Sequence, residues 1–342
     1  MGDERFRNAL ERRAQPVPPI WMMRQAGRYH RHYREMRRRH TFMDLCKEPS
    51  LAARVALSPV EDFDFDAAIL FSDLLFPLEA LGMGLSYDDA GPRIAWRLDD
   101  ETLGRLDEPE RAASHLIFQR DALRETRGLL PSDKGLIGFV GGPWTLFVYA
   151  VEGTHRGPLV ASRRESALYG RFLERLVPLL DRTIGFQIEG GADVVMIFDT
   201  AAGDLPPAVF RRLVEPSLQT LAGRHPGRLG YYTRGANAPH FSGPVFHSGA
   251  LAGIGLDARW EMSEALGTFR GGFVQGNFDQ TLFFLPEGEF RRVLQEYLEP
   301  LARLDAAARA GWICGLGHGV LPGTPEERVR EFVSTVRRVL FA

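Results

Sequence analysis

Short, almost unbroken apolar runs punctuate the chain. In order they are AAILFSD (67–73), LIGFVGG (136–142), DVVMIFDT (193–200), RLGYYT (228–233), PVFHSG (244–249), LAGIGLD (251–257), GGFVQGN (271–277) and WICGLGHG (312–319). Continuous apolar stretches of this length suit parallel strands covered on both faces, because neither face meets water. Several stop at Gly, Asp, Asn, Ser or Thr, residues that suit loops leaving a strand. Between most of them lie segments of helical character, such as 110–130 and 164–191. Strand and helix in alternation predict an α/β fold with a parallel sheet and right-handed crossovers. Eight runs predict a (β/α)₈ TIM-type barrel, with residues 1–342 as one domain. The fifth and sixth runs are too close together to enclose a helix. One of them is therefore expected to be loop, with the missing strand elsewhere. An open doubly wound sheet is the second architecture that the pattern allows.

In a barrel the working residues sit where the strands stop. The first run stops at Phe71-Ser72-Asp73, where a carboxylate would stand at the mouth of a low-dielectric cavity, able to stabilise a cation or accept N–H groups. The same Asp could instead cap the following helix. The second run enters Gly141-Gly142-Pro143-Trp144-Thr145, a tight strand-to-helix turn that lets a ligand approach backbone N–H groups. Tyr149 follows five residues after Trp144, on a different helix face, as a site hydroxyl or a core aromatic. The third run ends at Asp199-Thr200, offering a hydroxyl or another cap. The last ends at Gly315-Leu316-Gly317-His318-Gly319. It lacks full dinucleotide-binding spacing, and His318 between two glycines is expected to face the cavity.

Charge narrows the chemistry. The chain of 342 residues is 44% hydrophobic and 25% charged, with net charge -2. That balance argues against general nucleic-acid binding. Yet WMMRQAGRYHRHYREMR (21–37) carries Arg24, Arg28, Arg31, Arg34 and Arg37. Guanidinium groups in a cluster match carboxylates or phosphates bidentately, although a solvated basic helix has the same composition. All basic residues but Lys47 and Lys134 are arginine, so no single Arg is informative by itself. The two cysteines, Cys46 and Cys314, form no metal-binding pattern, and no nucleophile elbow or phosphate loop occurs. The N-terminus lacks an apolar signal core, and no apolar run approaches the ~20 residues of a membrane span. A reducing cytoplasm is the expected compartment. The remaining constellation suits a polycarboxylate handled without metal or nucleotide.

These stretches resemble the uroporphyrinogen decarboxylase family. The likeness is carried by WMMRQAGRY (21–29), Phe71-Ser72-Asp73, GFVGGPWTLFVYAVEG (138–153), IFDTAAG (197–203), GLDARW (255–260), QGNFD (275–279) and LGHGVLPGTPEE (316–327), in the family's order. The resemblance implies a barrel, a homodimer, and removal of CO₂ from the four acetate arms of uroporphyrinogen III to give coproporphyrinogen III in haem biosynthesis, with no metal or organic cofactor. It implies Arg24, Arg28 and Arg37 as carboxylate contacts and Asp73 as holder of the pyrrole N–H groups. Tyr149, Thr200 and His318 would lie near the side arms, and Asp73, Arg24 and Tyr149 are the catalytic candidates. The sequence departs from the family pattern at two places: His30-Arg31-His32 stands where Leu-Pro-Glu is expected, and Cys314 where Asn is expected. The competing readings are a tetrapyrrole-binding protein without catalysis and a zinc- and cobalamin-linked methyltransferase of a related barrel family.

Overall fold

The structure is a computed structural model that describes residues 4–88, 91–164 and 166–341. Strand β1 (Ala67–Ile69) is followed by a hairpin, β2 (Leu85–Asp88) and β3 (Gly91–Ile94), that stands apart from the main sheet. Then come β4 (Gly135–Gly141), β5 (Val194–Phe198), β6 (Leu229–Tyr232), β7 (Gly253–Gly255), β8 (Phe273–Phe278) and β9 (Trp312–Leu316). Seven of these form one parallel sheet in the order β1-β4-β5-β6-β7-β8-β9. Every residue of these seven strands is buried, which is why their sequences are apolar without alternation.

The eighth place is filled by the N-terminal segment around Ile20, which bridges to Cys314 in parallel. The Cys314 N–H donates to Pro19 O (2.9 Å), and the Trp21 N–H donates back to Cys314 O (3.2 Å). On the other side the Asp66 N–H donates to Ile20 O (2.8 Å), while the Asp66 carboxylate accepts the Ile20 N–H (2.8 Å). The segment thus joins the two edges of the sheet, which excludes the open doubly wound alternative. Its prolines are tolerated because Pro19 contributes only a carbonyl to the ladder.

One of the eight apolar runs is not a strand. PVFHSG is loop, with a single 3₁₀ turn at Pro244–Phe246, where the proline sits at the helix start and donates no N–H. The neighbouring LAGIGLD supplies β7. The expected helix over 110–130 is two, Pro109–Ser114 and Ile117–Leu129, and that over 164–191 is the helix Ser166–Glu189. Among the described residues, no helix is long and apolar enough to cross a membrane.

Candidate active site

At the end of β1 the chain leaves the sheet and Asp73 turns back on itself. Its Oδ1 accepts the Leu75 N–H at 2.8 Å, a local turn bond rather than a helix cap. The next helical turn, Phe76–Leu78, has Leu75 at its cap position and no side-chain cap. The Asp73 side chain is only partly covered, because it forms the wall of a cavity of ≈ 170 Å³. Arg24, Phe139, Phe198, Thr200 and His318 line the same cavity. Burial raises the Asp73 carboxyl above the usual carboxylate range, while the Leu75 N–H, the Tyr87 hydroxyl and Arg24 act in the opposite direction. Tyr87 comes from the hairpin strand β2, and its hydroxyl is buried without a hydrogen bond of regular geometry. No periodicity in SYDDAGPRI points to that tyrosine.

Arg24 reaches the cavity from a loop held by its neighbour. The buried Gln25 side chain donates to Ala67 O of β1 (2.9 Å) and accepts the Met22 N–H (3.2 Å). The Tyr29 hydroxyl donates to Gln25 O (2.8 Å). Arg24 itself has φ +61°, a left-handed conformation costing a non-glycine residue about 1–3 kcal/mol. Three buried hydrogen bonds at about 1 kcal/mol each are enough to offset that strain. The Arg24 stem crosses Gly319, where an added Cβ would lie 2.4 Å from Arg24 Cδ. Gly319 is therefore glycine because the arginine needs its space.

Opposite this loop, Asp199 organises the helix that carries Tyr149. Asp199 is fully buried, and its Oδ1 accepts the Thr145 N–H at 2.7 Å, in the first turn of the Pro143–Glu152 helix. The Tyr231 hydroxyl donates to Oδ2 (3.3 Å), and Thr145 Oγ1 accepts the Ala201 N–H (3.0 Å). Gly142 allows this approach, since a Cβ there would fall 2.2 Å from Asp199 Cβ. Burial pushes the Asp199 carboxyl up to about 6. A carboxylate raised in the folded state favours folding when protonated. Its contribution is thus present below about pH 4 and lost as pH rises through about 6, roughly 3 kcal/mol at 1.36 kcal/mol per unit. Asp199→Asn keeps the acceptor for Thr145 and cannot ionise. Urea unfolding at pH 4, 5, 6 and 7 should show the parent losing stability relative to the variant as pH rises; a constant difference would contradict this role.

Tyr149 stands beside the cavity, half-buried, with its hydroxyl 2.5 Å from His155 Nδ1. Its phenol is raised to about 12 by burial and by Asp73, against Arg24 and Arg156. The Tyr232 hydroxyl donates to Gly317 O (2.8 Å) and lies 3.1 Å from His318 Nδ1, with the two rings stacked. Burial first, then Arg24, Arg234 and His155, lowers His318 to about 4, so its imidazole is neutral at pH 7.

Arg28 and Arg37 line a separate, neighbouring cleft of ≈ 520 Å³, with Arg34, Arg38, Tyr33 and Tyr87. Tyr87 connects the two spaces, since it lines this cleft and faces Asp73. Arg31 pairs with Glu35 (3.6 Å), and Arg34 lies 3.9 Å from Glu326. Among the described residues, Arg24, Arg28 and Arg37 form no ion pair with a carboxylate; Arg37 donates to His40 O (2.6 Å) and lies beside the Tyr33 hydroxyl. Within residues 21–37, the three arginines that the family resemblance implies as carboxylate contacts are thus those without an ion pair among the described residues. The departures lie away from the cavity. His30 is buried with Nε2 2.6 Å from Asp62, and Cys314 is buried within β9.

A family model described as uroporphyrinogen decarboxylase matches residues 1–339. The chain belongs to the uroporphyrinogen decarboxylase family. A uroporphyrinogen decarboxylase of Thermus thermophilus is 36% identical over 95% of this chain and 94% of its own. One of Chloroflexus aurantiacus is 37% identical over 98% and 95%. Among solved structures, a methyltransferase from Methanosarcina mazei superposes with TM-score 0.75 over 100% of both chains, at 19% identity. That similarity extends to fold alone. Both cysteines are buried, and among the described residues no three His, Cys, Asp or Glu side chains group as metal ligands. The family match and these relatives support the decarboxylase reading, and the methyltransferase reading has no better support.

Proposed function

We propose that the protein decarboxylates the four acetate side chains of uroporphyrinogen III to coproporphyrinogen III, in haem biosynthesis. It would act in the cytoplasm as a homodimer of one-domain barrels, without metal or organic cofactor. The observation that carries this reading is a single carboxylate, Asp73, set in a cavity beside Arg24 and next to a cleft holding Arg28 and Arg37, three arginines that form no ion pair among the described residues. A polyanion with a cation-forming centre matches that arrangement.

The chemistry follows from the charges. Protonation of a pyrrole carbon makes the ring cationic, and Asp73 would stabilise that charge while accepting the pyrrole N–H groups. The bond between the methylene and carboxyl carbons then breaks, CO₂ leaves, and the electron pair enters the ring. Protonation of the exocyclic carbon and loss of the ring proton give a methyl group, so each CO₂ released consumes one proton. Arg24 would hold the departing carboxylate or its neighbour, and its role is electrostatic because guanidinium is a poor acid. Arg28 and Arg37 would bind arms reaching into the outer cleft, with Thr200 and His318 nearer the ring.

Anaerobic incubation with uroporphyrinogen III, followed by chromatography of the oxidised products, should give coproporphyrin. Recovery of bound, unchanged substrate would leave a binding protein instead. Within that assay Arg28→Lys should raise KM several-fold to about tenfold, because an ammonium cannot reproduce the bidentate fork. Arg39→Lys is the contrast, since Arg39 is exposed and lines neither space. Equal effects at both positions would reduce the cluster to diffuse charge.

A further inference from the structure

The proposed reaction consumes protons in a cavity whose neighbouring guanidiniums release none, so a route for protons is required. The loop after the Pro143–Glu152 helix offers one. Gly153 adopts φ +73° and turns the chain back, so that His155 Nδ1 meets the Tyr149 hydroxyl at 2.5 Å with ring centroids 5.3 Å apart. The positive φ is what favours glycine at this turn, since the Arg97 guanidinium, 2.0 Å from where a Cβ would lie, is the exposed end of a side chain that can move. Thr154 and Arg156 on either side of His155 are exposed, and His155 is half-buried between them. One side of the pair therefore looks to water and the other to Asp73 and Arg24.

The direction of that hydrogen bond decides what Tyr149 can do. With the imidazole proton on Nε2, Tyr149 donates to Nδ1 and offers the cavity only lone pairs. With a proton on Nδ1, His155 donates and the tyrosine O–H is free to point inward. A doubly protonated ring enforces the second arrangement. We propose that His155 and Tyr149 form a relay carrying protons from solvent to the substrate, with Tyr149 the donor and His155 the positioning residue behind it. His155 Nε2 takes a proton from water, the Nδ1 proton passes to the Tyr149 oxygen, and the Tyr149 O–H proton passes to the substrate carbon. The ring is left neutral with its proton on Nε2, and it resets by exchange with solvent at the exposed loop.

The surroundings couple this relay to ligand. Arg156 on the same loop, Arg24 on the N-terminal loop and Arg234 after β6 face His155, with Asp204 after β5 opposing them and His318 after β9 also near. Burial and these cations lower His155 below its usual value, so in the free protein the ring is neutral at pH 7. Neither Arg156 nor Arg234 pairs with a carboxylate among the described residues, so a bound polycarboxylate would neutralise them. Binding would then raise the proton affinity of His155 and load the relay.

This inference rests on the decarboxylase reading, and the test separates the two. Uroporphyrin, the oxidised and unreactive macrocycle, is titrated into parent and His155→Gln protein at pH 7 in two buffers of different ionisation enthalpy. The parent should take up more protons per ligand than the variant, by a substantial fraction of one. In the anaerobic assay His155→Gln should lower kcat at least tenfold with KM within about twofold, general-acid contributions being ~10²–10⁴. The parent's kcat/KM should fall as pH rises above the His155 value, and the variant should lack that limb. His155→Asn serves if melting curves show His155→Gln unfolded. Equal proton uptake, or unchanged kcat and pH profile, would overturn the relay. Uptake at His155 without turnover in the parent would overturn the decarboxylase assignment while supporting the coupling of anion binding to protonation.

Discussion

Asp73→Asn should fold like the parent and turn over about 10²–10³-fold more slowly, the usual cost of removing one preorganised electrostatic contact at a developing charge. The structure sharpens this expectation. Asp73 spends Oδ1 on the Leu75 N–H, and an asparagine carbonyl accepts that bond equally well. The turn after β1 therefore survives the substitution, and what changes is the charge facing the cavity and the Tyr87 hydroxyl. A purely local role predicts a variant with the parent's kcat and thermal stability. Steady-state kinetics and melting curves on the same preparation distinguish the two outcomes. A slow, folded Asp73→Asn supports the assignment, and a fast, folded one ends it.

Gly319→Ala should cost about 10² in kcat without unfolding the protein. The new Cβ would lie 2.4 Å from Cδ and 2.8 Å from Cγ of Arg24, too close for the guanidinium to keep its place. The obstruction is a side chain with an exposed end, so the arginine moves and the barrel does not. A displacement of about 1 Å in a positioning group is enough for a loss of this size. Gly317→Ala is the contrasting case. Its Cβ would meet backbone, 2.5 Å from Ala258 N and 3.0 Å from Asn277 O, so stability rather than turnover should suffer first. The measurement is kcat beside urea unfolding for both variants. Normal turnover in Gly319→Ala would mean that Arg24 need not sit where the structure places it.

These two glycines illustrate what the sequence disclosed. The Gly-His-Gly pattern reads as a strand end exposing a histidine, and His318 does line the cavity. Why the flanking residues must be glycine depends on Arg24 and Asn277, far away along the chain, and no local pattern reports such contacts. Strands of the parallel sheet are legible because burial on both faces makes them apolar throughout. The closing segment is hidden because Pro18-Pro19-Ile20 looks like a loop, and only the N–H that Cys314 donates to the Pro19 carbonyl makes it part of the wall. PVFHSG misleads in the opposite direction, being apolar because Val245 and Phe246 pack into the core from a loop. Asp199 and Thr200 are visible as a strand end, but the capping of a helix by Asp199 from 54 positions along the chain is not. Tyr87 and His155 escape the sequence because each acquires significance only from the partner the fold brings to it, Asp73 in one case and Tyr149 in the other.

A carbon balance tests the decarboxylase assignment most directly. Uroporphyrinogen III labelled in its acetate carboxyls would be supplied anaerobically, with a strong chelator, to the parent and to Asp73→Asn, and released CO₂ counted per macrocycle. The parent should release four labelled CO₂ per macrocycle, undiminished by the chelator, and the variant should release it about 10²–10³-fold more slowly. No release from the folded parent, or release abolished by the chelator and restored by zinc, would contradict the assignment.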